Sequence, residues 1–209
     1  MSVDLPCMEL AFRHAMPEFR RDRIVSFLTQ GPFVHTEIVI RDRAGSARAY
    51  SAFEGISGLT PTKPYRNLAA PRANPTQWTT LMFSLAPDKG YERAYAVILQ
   101  ILATGLPYNT RDLWQCCFQA ALPLEQDLDC MHPAAWSKHG VFCSQVALLF
   151  MRRLTRERVI TRLHPVVAAR LEAVNSRGCS PNQLFRILSP PPPIPPTRRL
   201  APSTDKKKG

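Results

Sequence analysis

Two side chains in this sequence combine a reactive group with a position that could activate it. Cys143 lies within a turn of the start of an apolar helix expected over 141–154, where unpaired backbone N–H groups and the helix dipole favour an anion and lower a thiol's pKa. Cys143, Val146, Ala147 and Phe150 fall at i, i+3, i+4 and i+7, so the sulfur is expected to face a sheet and not solvent. The strand expected opposite is Phe-Val-His-Thr-Glu-Ile-Val-Ile, residues 33–40. Its two-residue period places His35 on one face with Phe33, Glu37 and Val39. A histidine on a strand facing a cysteine at a helix start could form a thiolate–imidazolium pair, with a third polar group orienting the ring. Glu37 is the first choice for that group, roughly 6.6 Å farther along the strand at the usual rise. Ser51 and Glu54, on or just after the neighbouring strand, are the alternatives. On periodicity alone both reactive residues read as ordinary core groups, because a free cysteine is commonly buried and a strand histidine is commonly structural.

The elements that must position these residues follow from pattern and punctuation. Residues 8–13 alternate as a first strand, 19–29 form a short helix or irregular turn closed by Gly31-Pro32, and 33–40 is the strongest strand, bounded by turn residues on both sides. A hairpin across Ala44-Gly45-Ser46 leads to a strand near 48–53, and 78–85 makes another, so the sheet is expected to be antiparallel. Helices dominate afterwards. Asp88 is placed to cap a helix through Ala103 with Tyr91, Ala94, Tyr95, Ile98 and Leu102 on its stripe, and Thr110 to cap another through Leu122. A further helix opens at Pro165 and ends before Gly178. Ser180-Pro181-Asn182-Gln183 reads as a capping box with proline at the first helical position, starting a helix through Leu188. Strands first and helices later define an α+β domain.

Composition bounds the rest. The 209 residues, 45% of them apolar, suffice for one sizeable core. No apolar run approaches the roughly 18 residues of a membrane-spanning helix, and Asp4, Glu9, Arg13, Glu18 and Arg20 interrupt the stretch where a signal peptide would be apolar. The six cysteines are irregularly spaced with no C-x-x-C pair, which fits reduced thiols. An intracellular protein of cytosol or nucleus is the expectation. The folded body is expected over 1–188. Beyond it, residues 189–209 begin with six prolines within 190–196 and end in Lys206, Lys207 and Lys208, an extended, disordered basic spacer. Five of the 27 Lys and Arg lie in that tail, so most of the net charge of +11 belongs to the body.

That charge raises other functions. Arg152, Arg153, Arg156 and Arg158 near one helix end, with the basic tail, would attract phosphate without sequence readout, from nucleic acid or from an anionic membrane. The plainer alternative is helix capping and a solvated face. The Pro-rich tail could dock an SH3 or WW module. Cys130-x-His132 and His139-x-x-x-Cys143 raise a zinc site, but the spacing matches no finger pattern and Pro133 interrupts it, so no metal or other cofactor is expected.

Several short motifs recur together in one order. Leu10-Ala-Phe12, the segment 24–29, Gly31-Pro-Phe-Val-His35-Thr-Glu37-Ile-Val-Ile40 and Ala49-Tyr-Ser-Ala-Phe-Glu-Gly-Ile56 resemble the amino-terminal half of the circularly permuted NlpC-type papain-like superfamily. Gly105-Leu-Pro-Tyr108-Asn, Val141-Phe-Cys143-Ser-Gln145-Val-Ala and Cys179-Ser-Pro181-Asn-Gln-Leu184 resemble its carboxy-terminal half. The branch includes YiiX-like bacterial proteins and poxvirus homologues, with lecithin retinol acyltransferase-like enzymes as cousins. The resemblance spans about residues 8–188 and implies a papain-like fold, Cys143 as nucleophile, His35 as general base and then acid, and the Cys143 backbone N–H in an oxyanion hole. Tyr108 would line the site in the family's manner, or pack plainly after a helix stop. Bacterial members commonly carry an acid where this chain has Ser51, which is why the orienting role moves to Glu37, and a glutamate where it has Gln145. The implied activity is thiol hydrolysis, as a cysteine peptidase or amidase, of a peptide, amide or ester through a thioester acyl-enzyme. Acyl transfer onto a lipid substrate by the same residues is the first alternative. A non-catalytic basic binding protein on the same fold is the second. The poxvirus-like motif variant, the Pro tail and the absence of a signal raise a viral source, with the virion as an alternative location.

Overall fold

The computed structural model describes residues 7–41, 47–50, 76–103, 142–175 and 178–189. In chain order they form β1 (Cys7–His14), α1 (Arg20–Leu28), β2 (Phe33–Arg41), β3 (Ala47–Tyr50), β4 (Trp78–Ser84), α2 (Gly90–Ala103), α3 (Cys143–Arg156), α4 (Pro165–Ala173) and α5 (Pro181–Leu188). This is an α+β fold, as the order of strands before helices predicts. The four strands make one sheet in the order β3-β2-β1-β4, every pairing antiparallel. The expected hairpin tip at 44–46, the expected helix over 110–122 and the tail from 190 onward fall outside the described residues.

The sheet has two unlike faces. Met8, Leu10, Phe12, Ile38 and Ile40 form the floor of the main core, packed beneath buried residues of α2, α3, α4 and α5. Ala11, Val39, Ala49 and Trp78 make a small separate cluster on the other face. Cross-strand partners share a face, so His35, opposite Arg13, and Glu37, opposite Ala11, lie with this second cluster. Phe33 does not. The register slips between Arg13 and His14, where Val34 is the extra residue. Such a bulge reverses the alternation, and Phe33 turns into the main core against Phe12 and Phe185, with ring centroids 5.4 and 4.6 Å away. Placing Phe33 on the face of His35 is therefore corrected.

The helices carry their own punctuation. Ser180 Oγ accepts the Gln183 backbone N–H at 3.2 Å with Pro181 in the first turn, as the capping pattern predicts. His164 caps α4 in a similar way, Nδ1 accepting from Val166 N–H. By contrast, α2 starts at Gly90, after Lys89 in the left-handed region (φ 54°), so Asp88 is not its cap. Its buried stripe is Ala94, Val97, Ile98 and Ile101. The central helix α3 departs most from a one-sided amphipathic pattern: every residue from Cys143 to Arg152 is buried.

Burial of Arg152 is matched by hydrogen bonds. Its guanidinium donates to the backbone oxygens of Leu171 and Glu172 at 2.6 and 3.2 Å, and to that of Val174, satisfying the carbonyls that the end of α4 leaves open. Arg153 pairs with Glu157 at 2.9 Å, and Arg156 makes a two-point pair with Glu172. Three of the four arginines in this cluster are thus engaged inside the fold. Arg152 caps helix carbonyls, while Arg153 and Arg156 are held in ion pairs.

Candidate active site

The start of α3 favours an anion at Cys143. Phe142 is its extended N-cap residue and supplies no side-chain cap, and the first turn holds no acidic residue to offset the positive end of the dipole. Cys143 itself is buried. Burial alone would push its thiol up. The opposing charge of His35, a hydrogen bond from that ring, and backbone N–H donation from Thr36 and Ser144 outweigh burial and hold the thiol below its ordinary range.

The route by which Cys143 meets His35 differs from the one its helical stripe suggests. Val146, Ala147 and Phe150 pack onto the main-core face, whereas His35 belongs to the opposite face. The sulfur meets the ring beside the part of β2 that precedes its described pairing with β3, which runs from Ile38 to Arg41. There the Thr36 backbone N–H points at the sulfur.

His35 is enclosed from the other side. Its Nε2 lies 3.4 Å from Glu37 Oε1, and the Trp78 ring stands edge-on to it at 6.4 Å. The His35 side chain keeps 14% exposure while that of Glu37 has none. Burial disfavours the imidazolium, but the Cys143 thiolate and then the Glu37 carboxylate favour it, and together they raise His35 to about 9. A lowered thiol against a raised imidazole favours the thiolate–imidazolium form of the pair over the neutral one.

Of the residues singled out in the sequence, Cys143, His35 and Glu37 come together. Gln145 sits buried two residues into α3, and neither its Oε1 nor its Nε2 meets a hydrogen-bond partner among the described residues. Ser51, Glu54 and Tyr108 lie outside them. So do Cys130, His132 and His139 of the zinc alternative. Among the described residues no group of three or more His, Cys, Asp or Glu is arranged to hold a metal. No helix of the described residues is long and apolar enough to cross a membrane.

Two contributors escaped the sequence reading. Trp78 meets His35 only through cross-strand register, which places Arg13 opposite both. Asn182 clamps the root of β2. Its Oδ1 accepts from Phe33 N–H at 2.9 Å, while its Nδ2 donates to Phe33 O at 2.8 Å and to Thr29 Oγ1 at 2.6 Å. The motif containing Asn182 was visible, but its partner 149 residues away was not.

Comparison with family models, with curated proteins and with solved structures finds no match to this chain.

Proposed function

We propose that this chain is a thiol hydrolase of papain-like type, with Cys143 as nucleophile, His35 as its acid–base partner and Glu37 orienting the imidazole. The observation that carries the reading is the chain of contacts from the helix start to the buried acid: a thiol held low by His35, and His35 Nε2 held 3.4 Å from Glu37. The motif order of the sequence supports it independently. The Cys143 thiolate attacks an amide or ester carbonyl, and the electron pair of the C=O moves onto oxygen. The backbone N–H of Cys143, at the open end of α3, is a donor for that oxyanion. As the tetrahedral species collapses, the His35 imidazolium gives its proton to the leaving amine or alkoxide. A water then loses a proton to His35 and adds to the thioester, releasing the acid and regenerating the pair.

The test is the pH dependence of Cys143 carboxamidomethylation by iodoacetamide, read at the Cys143 peptide, in wild type and in His35→Ala. Rapid labelling well below the free-thiol pKa of about 8.5, lost in the variant, is the expected result. Slow labelling that His35→Ala leaves unchanged would remove the basis for a nucleophilic cysteine.

A further inference from the structure

Among the described residues six large apolar side chains are exposed, and three of them, Phe19, Ile24 and Phe27, sit on α1 or at its start. Phe27 is 81% exposed and Phe19 53%. In the helical repeat Arg20, Arg23, Ile24 and Phe27 fall at i, i+3, i+4 and i+7, one solvent-facing stripe. The opposite side is anchored. Val25 is buried there, and Asp22 pairs with Arg13 at 3.0 Å while accepting the Met16 backbone N–H at 3.1 Å. The only acid within α1 is therefore spent inward. No ion pair among the described residues, Glu18 just before the helix included, engages Arg20 or Arg23.

We infer that the outer face of α1 is a docking surface for an anionic lipid bilayer. Arginines beside aromatic and branched apolar side chains suit the headgroup boundary, where the rings enter the acyl region and the guanidiniums meet lipid phosphates. Nucleic acid would satisfy the arginines but leave Phe27 and Ile24 in water. A second copy of the chain packed on the same stripe about a two-fold axis would bring the arginines against their own equivalents. A bilayer meets both chemistries at once. The Gly31-Pro32 turn joins α1 to β2, so a protein seated this way holds His35 a few residues from the lipid surface.

The experiment is co-sedimentation of the full chain with phosphatidylcholine vesicles, with and without roughly 30 mol% phosphatidylserine. It is repeated for Ile24→Ser/Phe27→Ser and for Arg20→Glu/Arg23→Glu. These side chains are exposed, and unchanged thermal unfolding of each variant establishes that the fold is intact. The expected result is wild-type binding that needs phosphatidylserine and falls about tenfold or more in both variants. Failure of the wild type to bind would overturn the inference. So would undiminished binding by the variants, which assigns attraction to the basic tail or another surface, and so would a Phe27-dependent dimer in sedimentation velocity, which assigns the stripe to a second copy.

Discussion

Cys143 and Cys179 are both buried thiols, yet their surroundings drive them in opposite directions. Cys179 lies in the turn before α5. Burial pushes it up to about 12, with Arg152 opposing weakly and the Cys143 thiolate adding to the rise. Cys143 experiences the same penalty of burial and is nevertheless held low, because a ring that carries charge stands against it and two backbone N–H groups point at it. Enclosure makes a thiol inert, and a charged partner within the enclosure reverses that. The same division separates the two faces of the sheet: the apolar face under the helices holds the fold together, and the face with His35 and Glu37 holds the buried charge.

Removing the partner should erase the difference between the thiols. In His35→Ala, Cys143 keeps its burial but loses the imidazolium, so its alkylation at neutral pH should fall on the order of 100-fold. Its pH profile should move above that of an ordinary thiol, toward that of Cys179. In the wild type the two limbs are assigned by sign. Cys143 is lowered, so the thiolate accumulates as pH rises through its depressed value. His35 is raised to about 9, so the imidazolium persists until pH passes that value. Alkylation, which needs only thiolate, should therefore stay high above pH 9, whereas turnover of any substrate needing proton donation should decline there. A turnover profile without that alkaline decline would remove His35 from the acid role.

The neighbourhood of Cys179 acts through structure. Ser144 Oγ donates to Cys179 O at 2.7 Å, tying the start of α3 to this turn, and Asn182 three residues later holds both backbone groups of Phe33. Asn182→Ala leaves that N–H and C=O without their partner in a dry site, which should cost about 2 kcal/mol in denaturant unfolding. It should also loosen the root of the strand that presents His35, lowering the Cys143 alkylation rate without moving its pH midpoint by as much as His35→Ala does. Gly31 marks how closely this clamp fits, since a Cβ there would collide with Asn182 Oδ1.

Glu37→Gln keeps the size of the side chain and removes the charge. The Cys143 thiolate is the larger support of the imidazolium and Glu37 the lesser, so the imidazolium should titrate lower than in wild type. Alkylation at neutral pH should slow by roughly tenfold, about one pKa unit's worth. A Gln variant as slow as His35→Ala would mean that the carboxylate sets the ring's position as well as its charge.

Much of this fold can be read along the chain. β2 announces itself by β-branched residues between turn signals, α5 by Ser180 and Pro181, and the activated end of α3 by a cysteine where helical donors are open. What could not be read is nonlocal. The side of β2 that each residue faces depends on the extra residue Val34 in the pairing with β1, and a bulge leaves no mark in the alternation itself. The stripe of α3 located the main core through Val146, Ala147 and Phe150, but not the face of β2 on which Cys143 meets His35. Trp78 enters through register with β1, the Thr36 donor through strand order, and Asn182 through a contact across the length of the chain.

The smallest expected effect is also the sharpest control on the comparison. Cys179 donates weakly to Ser180 O at 3.9 Å and otherwise serves as a small apolar side chain in the main core. Its pKa, pushed up to about 12, keeps it neutral around neutral pH, so it contributes no charge to the site there. Cys179→Ala should therefore leave Cys143 alkylation within about twofold of wild type at neutral pH, the loss of one small buried group being worth roughly 1 kcal/mol of stability. Peptide mapping of the alkylated wild type should find Cys143 modified and Cys179 spared until the protein is denatured. If Cys179 were instead modified in step with Cys143 in the native protein, accessibility and not ionisation would govern both thiols, and the low pKa assigned to Cys143 would lose its support.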